Sequence, residues 1–584
     1  MKEKVLKIIK ESGIFLLMFL TIILLFSTVL WIFKVPITRW HLPIEFLLTI
    51  VVYSIYAFFR NERKITKIFI SRVIITVILS ALCFSVSSYI ESDIYDTTSD
   101  GNTYHKLAIG SMKNGWIPLY ESCKDYTRED GNVVTVSNQN INYLWADHYA
   151  IGTEILGANI YAFSNNIETG KAFNLVIMYC AFAITLEFFA KKKINIIFSI
   201  ALALMIAVNP ITATQWGTYY VDTTLAMTLF LIFIELLNIS NESKDEKSNK
   251  LEYYSILGMS IAICINAKFT GLVYAAIFCF VFFVYWLIKS KSNKEELKKS
   301  AKLNVIFYIV TVIASVCIIG GSSYLMNTIN YKHPCYPLYG EGHVDNMVIQ
   351  EIPESLAAKS HGKQFLISIF SKGMNISPSY SDANVLPELK VPFTMTSDEI
   401  DNYIIPDIRM GGFGPLYSGI FILTCLGIVY IIIDLIRQKR IQSLIQYLLI
   451  IIPSAVMILA LDGAYWARYI PYMYFITIMT FAYLFTKSSK IVKSIGAITI
   501  VLLLINSFVV VNVTTKSYID GSKYVSNSLQ NFKDYVDGCG VNEIEVKLNS
   551  FAFQGVEYNI DDLGIKVIEN QDLEAERDGY FFSY

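Results

Sequence analysis

"FISRVIITVILSALCFSVSSYI" (residues 69–90) runs straight into "ESDIYDTTSDGNTYHKLAIGSMKNGW" (residues 91–116), an apolar stretch against an acidic and aromatic one. The first part has the roughly 20 apolar residues that a membrane-spanning helix needs. The second part places Asp96, Asp100, Tyr104 and His105 together just beyond it. The question is which scaffold and which partners this pairing serves.

The same pattern continues outward from this point. The 584 residues are 54% hydrophobic and 17% charged, with mean hydropathy +0.47, too little polar surface to cover a soluble globule. Apolar segments recur at residues 14–33, 44–59, 172–190, 194–208, 221–237, 253–267, 272–288, 305–326, 420–436, 444–461, 472–485 and 495–513. With residues 69–90 they predict an all-α polytopic membrane protein of about thirteen transmembrane helices.

Lysine and arginine set the orientation, because short loops rich in them stay in the cytoplasm. "MKEKVLKIIK", "RNERKITK", "KKK" (191–193), "KSKSNKEELKKSAK", "RQKR" and "TKSSKIVK" alternate consistently if the N-terminus is inside and the C-terminus outside. Residues 91–170, 327–419 and 514–584 then lie outside, together with all six histidines. The chain divides into a membrane domain, 1–513, and an extracytoplasmic tail, 514–584. "SLQNFKDYV" reads as helical there and "EIEVKL" and "VEYNI" as alternating strands, so the tail is expected to be a small α/β unit.

Other classes are excluded or unsupported. The first apolar segment lacks an A-x-A-like cleavage site and is read as retained. Most of the nine cysteines are single residues within spans, so no disulfide framework or zinc spacing emerges; a pairing among Cys123, Cys335 and Cys539 stays open. A net charge of −1 gives no basis for nucleic-acid binding. No low-complexity tract or internal repeat is evident.

Within the outer stretches, Tyr104, Leu107, Ala108 and Met112 recur at helical spacing and Gly115 stands where a helix would stop. An amphipathic helix at the membrane surface is expected over residues 103–114. Asp100 then stands at its N-cap, where a carboxylate commonly does no more than accept free N–H groups. Three further clusters reach the same face: Trp145, Asp147, His148 and Tyr149; Trp216, Tyr219, Tyr220 and Asp222; and Asp462, Trp466, Arg468 and Tyr469. Taken singly, their aromatics fit the interfacial belt. Arg468 runs against the positive-inside trend and can grip a phosphate with two donors. Lys268, in "INAKFTG", either snorkels to the headgroups or has a functional partner. His333, His343 and Asp345 have no compact metal-ligand spacing and read as a solvated turn. "RMGGFGPLYSG" (409–419) reads as a flexible entry into the next helix.

Together "DGNTYHKLAI" with "NGWIP", then "DHYAIG", "YYVD", "NAKFTG", "HPCYPLYG", "GFGPLYSG" and "WARYIP" resemble the C-type membrane glycosyltransferases (GT-C superfamily). That group includes protein O-mannosyltransferases and aminoarabinose transferases, and the string looks most like a bacterial subgroup of it, over residues 96–471. The chain departs from the common pattern in having two spans before the one preceding the acidic loop. It also carries Gly101 where many relatives have a second acid, which counts against a metal-binding acidic pair, although a divalent metal stays possible.

The resemblance implies transfer of a sugar from a polyprenyl-phosphate donor to a hydroxyl of a cell-envelope glycan, lipid or protein, outside the cytoplasmic membrane. It makes Asp100 the catalytic base with Asp96 as rival. Tyr104, His105, Asp147, His148, Tyr149, Asp222, Lys268, Arg468 and Tyr469 are then the substrate-binding set. A lipid-linked sugar flippase and an outer-face glycan polymerase are the alternatives.

Overall fold

The structure is a computed structural model that describes residues 2–584 except 129–130, 132, 136–140, 242–246, 290–293, 345–350, 377–384, 488, 549–553 and 571. It is mostly helical. The principal helices are α1 (Lys2–Ile32), α2 (His41–Arg60), α3 (Lys67–Ser92), α4 (Lys106–Lys113), α5 (Ile141–His148), α6 (Gly152–Ser164), α7 (Ala172–Lys191), α8 (Ile196–Ala207) and α9 (Asp222–Asn241). They continue as α10 (Lys247–Ala267), α11 (Phe269–Lys289), α12 (Lys294–Cys317), α13 (Ser322–Tyr331), α14 (Tyr417–Arg437), α15 (Ile441–Ala460), α16 (Tyr472–Phe485), α17 (Lys490–Cys539) and α18 (Val556–Asp561).

Each apolar segment read from the sequence falls on a helix, but not every one is a full span. Among the described residues, nine helices are long and apolar enough to cross a membrane, or ten if the bent pair α12–α13 counts as one. The helices α8 and α16 are apolar but short. In α10 the apolar part begins only after Lys250 and Glu252. The segment expected at residues 305–326 is not one straight rod: it breaks between Cys317 and Ser322 with a 77° bend, and Gly320, at φ +78°, sits in the break.

The enclosed centre of the bundle is built on α7 and α9, with α1 against α7, while α3 is the most exposed span. Outward faces stay apolar, as with Ile74, Ile78 and Leu82 on α3, Leu426, Val429 and Ile433 on α14, and Ile498, Val501 and Phe508 on α17. Exposed apolar surface on this scale is unusual for a soluble monomer and compatible with a multi-pass membrane protein.

Charges from distant segments gather at one end of the bundle. Lys10 reaches Glu187 (3.0 Å) and also pairs with Glu252, Arg60 reaches Glu252 (2.6 Å), and Arg72 reaches Glu11 (3.2 Å). This network ties α1, α2, α3, α7 and α10 together, and Lys10 and Arg60 in it come from segments whose Lys and Arg content marked them as one side.

The tail is joined through α17, which runs unbroken past position 514. Its sheet consists of β1 (Glu543–Leu548), parallel to β2 (Lys566–Glu569) and antiparallel to β3 (Phe582–Ser583), in the order β2-β1-β3. "VEYNI" is helical, in α18, and not the expected strand. Val556, Tyr558 and Ile560 would share one face of a strand as well, but Asn559 is buried with them and bonds Glu168 (2.8 Å) and Lys106 (2.9 Å), a broader buried face than strand alternation provides. The helix α18 and its flanks clamp the loop after α3. Gly555 N–H donates to Asn102 O (2.7 Å), and Asp562 accepts from the Tyr161 hydroxyl (2.7 Å) and Ile167 N–H (2.8 Å).

Candidate active site

The loop after α3 is shaped by a buried carboxylate. Asp96 accepts Thr98 N–H (2.8 Å) and hydroxyl (2.6 Å) on one oxygen and Tyr219 N–H (2.7 Å) on the other. All of this is buried. Asp96 is therefore a structural anchor and not a rival base facing substrate. It also accounts for Gly101, since a Cβ there would lie 2.0 Å from the Asp96 carboxylate. The chain needs glycine at that position, and a second acid would not fit.

The anchored loop continues as a π-helical turn, Gly101–His105, and then α4. Such turns recur at functional sites because they re-aim side chains. The expected surface helix is instead buried: Lys106 through Met112 are enclosed, because Lys106 bonds to Glu168 (2.6 Å) and Asn559 (2.9 Å) and the tail covers α4. Asp100 precedes the turn in right-handed helical conformation, and its side chain makes no capping bond. The capping role is therefore not what the structure has.

Asp100 instead opens into a cavity of about 210 Å³, shared with Tyr104, His105, Trp145, Tyr149 and Tyr220. Asp222, Lys268, Arg468 and Tyr469 complete it. The contributors come from the loop after α3, the end of α5, the start of α9, the α10–α11 junction and the α15–α16 connection. Lys268 is the single residue between α10 and α11, a hairpin so tight that a Cβ on Gly271 would fall 2.1 Å from Cys264 O.

The electrostatics are uneven. Lys268 Nζ lies 2.7 Å from one Asp222 oxygen, and Arg468 Nη1 lies 3.6 Å from the other, which also accepts Gln215 Nε2 (3.3 Å). Two buried cations thus share Asp222, with Asp407 a further charge acting on Arg468 and Asp100 lining the same cavity. The Arg468 guanidinium is held over Trp466 (4.0 Å to the ring centre), Tyr220 (5.3 Å) and Tyr469 (5.4 Å), and its Nε has no hydrogen-bond partner among the described residues. The Lys268 ammonium sits 4.1 Å from the Tyr469 ring centre.

On the opposite side, Tyr104 Oη lies 3.5 Å from Asp100 Oδ2. Burial, then the Asp100 charge, hold the Tyr104 phenol well above its usual range, so it stays a donor. Burial raises the Asp100 carboxyl above the ordinary aspartate range, and Arg468 partly opposes the shift. His105 Nδ1 is 2.5 Å from Glu154 Oε1 in a buried pair, which fixes the imidazole against the Tyr104 ring at 4.2 Å.

Of the eleven residues expected in the site, the cavity brings together Asp100, Tyr104, His105, Tyr149, Asp222, Lys268, Arg468 and Tyr469, and leaves three elsewhere. Asp96 anchors the loop. Asp147 pins the neighbouring segment by accepting the Ser122 hydroxyl and Cys123 N–H, both at 2.6 Å. His148 bonds Asn327 (2.9 Å) and packs on Tyr331 and Tyr336, fastening α5 to α13 and the turn that follows it.

Glu154, Tyr220 and Trp145 were not expected as site residues. Glu154 could have been found, being an acid inside the apolar run "IGTEILGANIYAF", the same signal that singled out Lys268. The "RMGG" stretch is not a loose entry: Arg409 is buried, bonds Asn375 (2.6 Å) and Glu351 (3.0 Å), and lies 4.6 Å from the Trp466 ring centre.

All nine cysteines are free thiols, so the outer three do not pair. Among the described residues no group of three or more His, Cys, Asp or Glu is arranged to hold a metal ion; Asp345 lies outside them. Asp100 faces cations and phenols, a donor set that does not fit a divalent ion. No protein family matches this chain, and no curated protein or solved structure does either.

The anchoring role of Asp96 and the cavity-facing position of Asp100 separate by experiment. Asp96→Ala leaves three buried donors without a partner, at about 1–3 kcal/mol each. The variant is expected to unfold at a clearly lower temperature in a thermal melt, whereas Asp100→Asn is expected to melt with the wild type.

Proposed function

We propose that the protein is an inverting glycosyltransferase that moves a sugar from a polyprenyl-phosphate donor to an acceptor hydroxyl at the outer face of the cytoplasmic membrane. The observation that carries this reading is the shared cavity: a carboxylate, Asp100, and a cation pair, Lys268 and Arg468, line one aromatic-walled space. The Asp100 carboxylate takes the acceptor's proton as its oxygen attacks the anomeric carbon, and the C1–O bond to the lipid phosphate breaks on the far side. The phosphate leaves as an anion without protonation, and Arg468 with Lys268 balances its growing charge. The Glu154–His105 pair acts through position, holding the turn that presents Asp100.

A long-chain lipid is supported by the surface next to Lys268. An apolar groove of about 230 Å³ runs along α11 past Leu272, Ala275, Cys279 and Phe283, with Ile265 and Ile309 opposite. The α11 portion spans about 16 Å of helix. The side follows from the Lys and Arg distribution, with the N-terminus inside and about thirteen crossings if the shorter helices also insert.

The test is incubation of the purified protein in lipid with a panel of polyprenyl-phosphate sugars and envelope acceptors. Consumption of one donor with release of polyprenyl phosphate is expected; no consumption of any would count against the reading.

A pH profile adds a second check. Asp100 works as a base only when ionised, and its raised pKa moves the loss of activity upward from the ~3.9 of a free aspartate. The acid limb of kcat/KM is expected above that value. It moves higher still in Arg468→Gln, where the main charge favouring the carboxylate is gone. A limb at or below 3.9 would contradict the role.

A further inference from the structure

A second cavity, of about 290 Å³, lies at the other end of the bundle between α7, α9, α14, α15 and α16. Its rim carries Lys192 and Arg440, both from segments whose charge reads as cytoplasmic. Its wall is apolar, with Phe188, Ile431, Ile451 and Met479 among the lining residues, and no acid lines it among the described residues.

The two cations lack an ionic partner among the described residues. The nearby carboxylate, Asp434, is already taken by Lys487 (2.5 Å) and the Tyr483 hydroxyl (2.9 Å). Arg440 has only the Ser443 hydroxyl (3.3 Å). Burial, followed by the neighbouring Arg440, pushes the Lys192 ammonium below its usual range, so the two positive charges oppose each other. Exposed Ile436 and Ile441 continue the apolar surface from the rim.

We propose that this cavity is a binding site for an anionic phospholipid, its phosphate between Lys192 and Arg440 and its acyl chains against the apolar wall. Charge complementarity selects the headgroup: two adjacent cations without an acid invite one phosphodiester, and basic pockets between helices on the cytoplasmic side suit such lipids. The apolar walls select a lipid over a free phosphate. This inference is independent of the sugar-transfer reading, since the cavity shares no residue with the candidate active site.

The test measures lipid binding to the delipidated full-length protein in detergent, with dioleoyl-phosphatidylglycerol, dioleoyl-phosphatidylcholine and glycerol phosphate as probes. Phosphatidylglycerol is expected to bind more tightly than phosphatidylcholine. The double variant Lys192→Gln/Arg440→Gln, which alters two side chains at the rim of the cavity, is expected to weaken it roughly 30-fold, the effect of two basic residues at a membrane surface. Ile451→Trp, which narrows the apolar part and keeps both cations, is expected to weaken the lipid as well. Equal binding of both lipids, or an unchanged double variant, would overturn the proposal. So would glycerol phosphate binding as tightly as the lipid, which would make this a soluble-phosphate site.

Discussion

Asp100→Asn is expected to reduce sugar transfer by about 10²- to 10⁴-fold, the usual contribution of a positioned general base. The amide keeps the size of the carboxylate and can still accept from Tyr104, whose contact is long at 3.5 Å. The side chain caps no helix, so little stability depends on its charge. Transfer should therefore fall in kcat at saturating donor, with the thermal melt and donor affinity close to wild type. A variant that retains its rate would remove Asp100 from the chemistry and leave the cavity without an evident base.

The second large effect is expected at Arg468. Arg468→Gln should lower kcat/KM by about 10²- to 10³-fold, the scale seen when one preorganised group stabilising developing charge is removed. The buried Asp222 keeps Lys268 at 2.7 Å and Gln215 at 3.3 Å and loses only its more distant partner, while the guanidinium's seat on Trp466 is lost with the charge. Arg468→Lys should restore little, because an ammonium cannot lie flat on Trp466 and offer two parallel donors. Lys268→Met should behave differently. It strips Asp222 of its direct partner and leaves a buried carboxylate half-paired, so loss of stability accompanies loss of activity. Equal kinetics in all three variants would mean that the cluster is only a structural ion pair.

The features that the sequence made legible depend on local pattern. Apolar runs marked every long helix, because burial in a bundle or bilayer demands length and composition that are visible in one dimension. Convergence was legible too, since Asp100, Tyr149, Asp222, Lys268 and Arg468 all adjoin ends of apolar runs on the side that the lysine count separates from the other. What a run of letters does not carry is whether a carboxylate is already used. Asp96 and Asp147 look like Asp100 in sequence, yet backbone N–H groups from Tyr219 and Cys123 claim them.

Tertiary cover was equally hidden. The helix α4 has the spacing of an interfacial helix, and the packing of α6 on one side with the docking of α18, some 450 residues on, on another buries it. The break at Gly320 and the helicity of "VEYNI" were missed for the same reason, because a local period tolerates either outcome until neighbours choose one.

The most direct test of the central claim follows the fate of the donor. Proteoliposomes holding wild-type protein receive a polyprenyl-phosphate sugar labelled in the sugar, with envelope acceptors present, and the label is traced. The account predicts that label moves covalently to acceptor with one polyprenyl phosphate released per transfer, and that Asp100→Asn stops it. Label that crosses the bilayer still attached to its lipid, equally in wild type and Asp100→Asn, would contradict the account and make the protein a lipid-linked sugar transporter.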